Sequence, residues 1–211
     1  IISKEAERLT GMVSELLEFT RIQDGRFNLR IELIDIAAEL EDALFTYGEL
    51  IKQAGMKINY TAPPAEIPLI PGDPERLKQV FLNVLDNALK YTPKGGVVAA
   101  QVIYSKDEPD IIKIVITDTG CGISAEDLPK VKEKFYKANQ TVGGSGIGLA
   151  VVDEIVRLHH GTFDIDSVLG QGTTVTISFD IDHVELEDVW DIDAAIAAEN
   201  EKKAMEENED A

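Results

Sequence analysis

Apolar positions recur along this chain at two spacings. At the N-terminus Leu9, Met12, Leu16 and Phe19 follow one another at steps of three, four and three, with charged residues between them. That spacing draws one apolar stripe on a helix of the kind that closes a bundle or coiled-coil seam. Gly25 suits its C-terminus, and a lone helix of this length, marginal in water, is expected to pair with a second helix or a second copy. From Asn28 to Ile34 the period changes to two, with Leu29, Ile31 and Leu33 alternating with Arg30 and Glu32, which predicts a strand with one buried face.

Asp35 is placed to cap a helix running to about Ala54, with Ala38, Leu44, Leu50 and Ile51 among its apolar positions. Short strands are expected at Met56 to Tyr60 and Pro68 to Ile70, around a Pro-rich turn. Asp73-Pro74 combines a cap with a first-turn proline. The helix it opens carries Leu77, Val80, Phe81, Val84, Leu85 and Ala88 and reaches Tyr91. Val97 to Tyr104 and Ile111 to Thr117 read as a hairpin, joined by the charged run Lys106 to Asp110.

Residues 128–145 are less regular and glycine-bearing at their end, the pattern of a lid. A helix from Ile147 to His160 and strands at Phe163 to Ser167 and Thr173 to Phe179 complete the domain. Strands and helices alternate without the spacing of repeated βαβ units. The expected fold is α+β: a two-layer α/β sandwich in which helices cover one face of a mixed sheet, rather than a Rossmann fold.

Composition narrows the picture. The chain has 211 residues, 44% of them hydrophobic, enough for one domain with appendages and a sizeable core. No long apolar run predicts direct membrane contact. A single cysteine, Cys121, cannot form an internal disulfide and reads as a small filler between glycines. A cytoplasmic setting is the expectation. The net charge of -19 is concentrated in residues 180–211, which hold 13 acidic and 2 basic side chains. Such a balance argues against nucleic-acid binding, which needs a basic stripe. The tail reads as a solvated acidic face with a helix-forming stretch at 193–208. The start at Ile1, in mid-pattern and without Met, reads as a piece of something longer.

Four short motifs carry the chemistry. Asn83 and Asn87 are four apart on one helix face, so two hard amide oxygens project together in a way that suits Mg²⁺. Lys90 follows within reach of a phosphate, and Tyr91 offers a ring. Asp118 ends a strand and precedes Gly120 and Gly122; its carboxylate can accept from an exocyclic amine such as that of adenine. Gly144, Gly146 and Gly148 lead into a helix whose N-terminal N–H groups suit phosphates. Gly170, Gly172, Thr173 and Thr174 form a glycine turn before a strand. Taken singly, each has an ordinary reading as a polar helix face, a turn or a hairpin.

In this order the motifs resemble the catalytic, ATP-binding domain of sensor histidine kinases, within the superfamily that includes DNA gyrase B, Hsp90 and MutL. The resemblance covers about residues 28–180. It implies that Asn83 and Asn87 hold Mg²⁺, that Asn83 and Lys90 act in catalysis, and that Tyr91, Asp118, Gly120, Gly122 and Ile123 bind ATP. It extends the nucleotide site to Phe135, Tyr136 and Lys137 in the lid, to Gly144, Ser145, Gly146, Ile147, Gly148 and Leu149 at the second glycine turn, and to Thr173.

It also implies that residues 1–27 end the second helix of a dimerisation and phosphoacceptor hairpin, that residues 28–180 are the catalytic domain, and that 181–211 are an acidic tail. The first hairpin helix, with its phosphoacceptor histidine, is missing from the chain; His159, His160 and His183 are poor substitutes, and the first two read as helix-terminal structural residues. The implied partners are ATP or ADP, the hairpin of the same or a partner subunit, and a response regulator, with a homodimeric full-length protein. Lys132 and Gly143 depart from the family pattern and leave Lys134 and Lys137 as candidates for the γ-phosphate. Hydrolytic superfamily members carry Glu where Asn83 stands, so Asn83 favours phosphoryl transfer to histidine over hydrolysis. An alternative is a nucleotide-binding interaction module with weak or no kinase activity.

Overall fold

The computed structural model describes residues 29–63, 66–104, 111–139 and 145–181, together with Thr20. The N-terminal helical stripe, the 106–110 run, Gly143, Gly144 and the acidic tail beyond Ile181 lie outside the described residues.

Three helices form one layer. Helix α1 (Ile36–Gln53) starts where the Asp35 carboxylate accepts from the N–H groups of Ala37 and Ala38. It buries Ile36, Leu40, Ala43, Leu44 and Ile51 at helical spacing, whereas Ala38 and Leu50, expected among the apolar positions, face outward. Helix α2 (Pro74–Tyr91) begins at the buried cap Asp73 and buries all six of its predicted apolar positions. Helix α3 (Gly148–Leu158) buries Ala150, Val151, Val152, Ile155 and Val156.

Five strands form the second layer, in the order β2 (Lys57–Thr61), β4 (Val97–Tyr104), β5 (Ile111–Asp118), β7 (Gly172–Asp180) and β6 (Thr162–Val168). The β2–β4 pair is parallel and the others are antiparallel, which makes the sheet mixed, as the pattern predicted. Alternation decides which face is covered. Val98, Ala100 and Val102 on β4, Ile112, Ile114 and Ile116 on β5 and Val175, Ile177 and Phe179 on β7 all point into the helix layer.

The 28–34 strand is shorter than its alternation predicted. Only β1 (Glu32–Ile34) enters a ladder, an antiparallel pair with β3 (Ile70–Gly72) separate from the main sheet. Pro71 stands opposite Leu33 in that ladder. Proline has no N–H to donate, which keeps such a pair short.

Candidate functional site

The site is a cleft between α2 and the ends of β5 and β7, roofed by residues 131–139 and 145–149. Asn83, Asp86, Asn87, Lys90 and Tyr91 line one wall from a single face of α2. Asp118 and Thr173 line the far end, and Lys137, Ser145, Gly146, Gly148 and Leu149 come from the roof. Gly122, Ile123 and Tyr136 also reach the cleft.

Asp118 ends β5 and is paired across the ladders with Val98 on one side and Thr173 on the other. Burial pushes its carboxyl above the ordinary aspartate value of 3.8, against the opposing pull of the Gly120 N–H, the Thr173 N–H and the Thr92 hydroxyl. The Gly120 N–H donates to Oδ1 at 2.7 Å. Thr92 is buried and polarises the carboxylate without full hydrogen-bond geometry. The group is an acceptor held in a half-dry setting, where a specific donor is worth more than it is in water.

Glycine is required at two of these turns. Gly122 has φ +65, and a Cβ there would stand 2.1 Å from the Val168 carbonyl oxygen. At Gly172, with φ +110, a Cβ would stand 2.0 Å from the carbonyl oxygen of Asp118 itself. These contacts let the β6–β7 turn close directly over the strand end that carries the carboxylate.

At the opposite end, α3 begins without a side-chain cap from Ile147, so the first-turn N–H groups remain available to an anion. Gly148 opens space there: a Cβ would grow toward Asn83, whose Oδ1 lies 3.8 Å away. The Asn83 amide thus faces a helix N-terminus, Asn87 lines the same wall of the cleft, and this donor set fits an Mg²⁺ ion that shares its coordination shell with phosphate.

The roof is tied at several points. Tyr136 donates from its hydroxyl to Asp127 Oδ1 at 2.6 Å, and that bond pushes the phenol up to about 12. Asp127 also accepts from Ser124 at 2.7 Å. The Phe135 N–H donates to the Gly146 carbonyl at 2.9 Å, joining the two ends of the roof segment.

Not every expected residue reaches the cleft. Phe135 is 60% exposed with φ +64, because that backbone turn swings its ring outward. Ile147 is buried in the core, and Gly120 sits behind the wall, where a Cβ would strike the Tyr91 carbonyl oxygen at 2.7 Å. These three do not line the site. Lys132 is occupied elsewhere: its ammonium pairs with Asp153 at 3.0 Å, donates to the Phe163 carbonyl and lies 4.5 Å from the Phe163 ring centroid. Lys137 reaches the cleft, whereas Lys134 does not line it.

Sequence reasoning passed over Asp86, Asn139 and Thr92. Asp86 lines the cleft and its Oδ2 is ion-paired with Lys90. Its place three residues after Asn83 and four before Lys90 on the same helix face was the signal that would have found it. His159 proves structural, as expected. Its Nε2 accepts from the Asp73 N–H at 3.0 Å, so its Nδ1 carries the proton and donates to the Ile155 carbonyl at 2.8 Å.

The sheet with its three-helix cover and the cleft at its strand ends define a nucleotide-site fold of a known class. The chain belongs to the family described as histidine kinase-, DNA gyrase B-, and HSP90-like ATPases, whose model matches residues 72–183. It is 32% identical over 199 residues to the non-motile and phage-resistance protein of Caulobacter vibrioides, an alignment covering 92% of this chain and 23% of that protein. It is 32% identical over 180 residues to the histidine protein kinase DivJ of the same organism, covering 84% of this chain and 30% of that one. The chain therefore spans less than a third of each of these relatives. Among solved structures, full-length ShkA in complex with AMPPNP matches with a TM-score of 0.73 at 24% identity, over 83% of this chain and 36% of that one. Among the described residues no helix is long and apolar enough to cross a membrane.

Proposed function

We propose that this chain is the ATP-binding catalytic portion of a two-component sensor histidine kinase, which transfers the γ-phosphoryl group of ATP to a histidine on a separate helical hairpin. The carrying observation is that Asn83, Asn87 and Lys90 share one wall of the cleft while Asp118 stands at its far end. Adenine sits against Asp118, with its exocyclic amine donating to the carboxylate. The phosphates lie between Lys90 and the open N-terminus of α3, two positive ends that meet negative charge without rearrangement.

Bound at Asn83 and Asn87, Mg²⁺ supplies charge that offsets the phosphate oxygens. Asn83 has no basic lone pair with which to activate water, and Asp86 has one oxygen engaged by Lys90. An imidazole nucleophile needs no such base near neutral pH, which favours transfer over hydrolysis. The roof excludes water, so the chain contributes mainly positioning and electrostatics. In this reading the acceptor hairpin belongs to the same or a partner subunit of a homodimer, residues 1–27 form part of it, and a response regulator takes the phosphoryl group onward. The setting is cytoplasmic and involves no nucleic acid.

Calorimetry with Mg-ATP and Mg-ADP tests the site. Asp118→Ala and Asn87→Ala should each abolish binding, and unchanged affinity in both variants refutes the reading. Incubation with a supplied histidine hairpin tests the reaction. Nucleotide binding without transfer would make the chain an interaction module, and steady hydrolysis without an acceptor would place it with the hydrolytic relatives.

A further inference from the structure

Ser167, on β6, belongs to none of the motifs, yet its hydroxyl lies where the first and third glycine turns meet. The Ile123 N–H donates to Ser167 Oγ at 2.8 Å, and Ser167 donates to the Gly172 carbonyl at 2.8 Å. Thr173 Oγ1 lies 3.0 Å from the same serine oxygen. A serine hydroxyl has one proton and two acceptor lone pairs. The proton goes to Gly172, whose carbonyl only accepts, and one lone pair takes the Ile123 N–H. One lone pair remains, so Thr173 must be the donor in its contact with Ser167.

That assignment has a consequence inside the cleft. With its one proton given to Ser167, the Thr173 hydroxyl presents only lone pairs to the cavity it lines. Its ladder partner is Asp118, whose ionised carboxylate also only accepts. Two acceptors stand together at this end of the cleft, and the Thr173 proton is turned away from any carbonyl placed against them.

We infer that Ser167 is a positioning residue that fixes the direction of the Thr173 hydroxyl and so makes the Asp118–Thr173 pair acceptor-only, selecting a base edge with an exocyclic amine over one with a carbonyl. The inference rests on the nucleotide reading above and deepens it. Released from Ser167, the Thr173 hydroxyl would be able to turn and donate to a carbonyl, and the selection would relax.

ATP and inosine triphosphate form the test pair: the phosphates are the same, while the 6-amino group is replaced by a carbonyl and N1 gains a proton, and purine riboside triphosphate, with no 6-substituent and a bare N1, separates the two changes. Calorimetry on the whole chain should show a preference for ATP in the wild type. Ser167→Ala should narrow that preference by roughly five-fold, about the worth of one neutral hydrogen bond. Ser167→Thr, which retains the hydroxyl, should restore it. A purely structural role would lower the thermal midpoint and both affinities in parallel, leaving the ratio unchanged.

Should Ser167→Ala fail to fold, Thr173→Val removes the hydroxyl that Ser167 directs and should narrow the ratio, whereas Thr173→Ser should keep it. The double variant Ser167→Ala/Thr173→Val should be no less selective than Thr173→Val alone, since Ser167 acts through Thr173. Intact binding with an unchanged ratio in Ser167→Ala or Thr173→Val overturns the inference, as does wild-type binding with no preference for ATP. Failure of the wild type to bind either nucleotide overturns the nucleotide reading, and the inference with it.

Discussion

His159 joins the two helices that hold the cleft, and acidification should loosen that joint. The ring lies at the end of α3, while the Asp73 N–H that it accepts lies at the start of α2, 86 residues away in sequence. Burial lowers its pKa below the usual 6.5, against the raising effect of the Ile155 carbonyl and Asp73, while neighbouring His160 adds to the lowering. The sign follows from linkage. Near pH 6.5 the unfolded chain takes up a proton that folded His159 refuses, so its stabilising contribution is complete above about pH 6.5 and declines toward the lower folded pKa. The slope approaches but does not exceed about 1.4 kcal/mol per pH unit.

Replacing the ring with alanine removes two hydrogen bonds worth about 1 kcal/mol each and leaves the Asp73 N–H without its acceptor at a cost of about 1–3 kcal/mol. His159→Ala should therefore lose about 3–5 kcal/mol at pH 7.5. Urea unfolding of both proteins at pH 7.5, 6.5 and 5.5 is the assay. The gap between them should shrink on acidification, because only the wild type carries the titrating ring. Parallel profiles across that range would refute the tautomer assignment and the coupling built on it.

Other expectations follow from single residues. His160 adopts φ +56, so His160→Gly should stabilise the chain by about 0.5–1 kcal/mol, the left-handed strain relieved less the entropy glycine adds to the unfolded state, as measured by urea unfolding. Gly122→Ala should shift the β6–β7 turn away from its 2.1 Å clash with the Val168 carbonyl, cost about 1–3 kcal/mol and weaken nucleotide binding in calorimetry. Because the Asp118 carboxyl is raised, acidification should weaken ATP binding with a midpoint above 3.8, and Asp118→Asn should remove that dependence. The same shift means that ionised Asp118 costs the fold stability at neutral pH, a cost relieved as pH falls through its folded pKa. Asp118→Asn should consequently bind ATP poorly while keeping or raising its thermal midpoint.

The parts legible in the sequence were those governed by neighbours in the chain. Asp73-Pro74 and six apolar residues at helical spacing define α2 without reference to anything distant, and β4, β5 and β7 announce their buried faces by alternation. What stayed hidden depends on long-range pairing. Glu32 meets Gly72 and Lys57 meets Val97, and no local period says that the first pair forms its own ladder or that the second is parallel. The cleft follows the same rule. Asn83, Asn87, Lys90 and Asp118 stand out because amides and charges in periodic or glycine-flanked positions are informative. Ser167 does not, because a lone serine on a strand edge has no distinguishing neighbour until Ile123 and Gly172 are brought to it. Phe135 misled for the opposite reason: an aromatic in a glycine-rich lid promises packing, and only the positive φ shows the ring turned outward.

The bond from the Phe135 N–H to the Gly146 carbonyl acts as a clasp. Tyr136 and Ser145, each next to one of its partners, both line the cleft and are held at a fixed separation by it. A substitution that opens the clasp, such as one that forces residue 135 out of its left-handed backbone, therefore displaces both lining residues at once while the sheet beneath is left as it is.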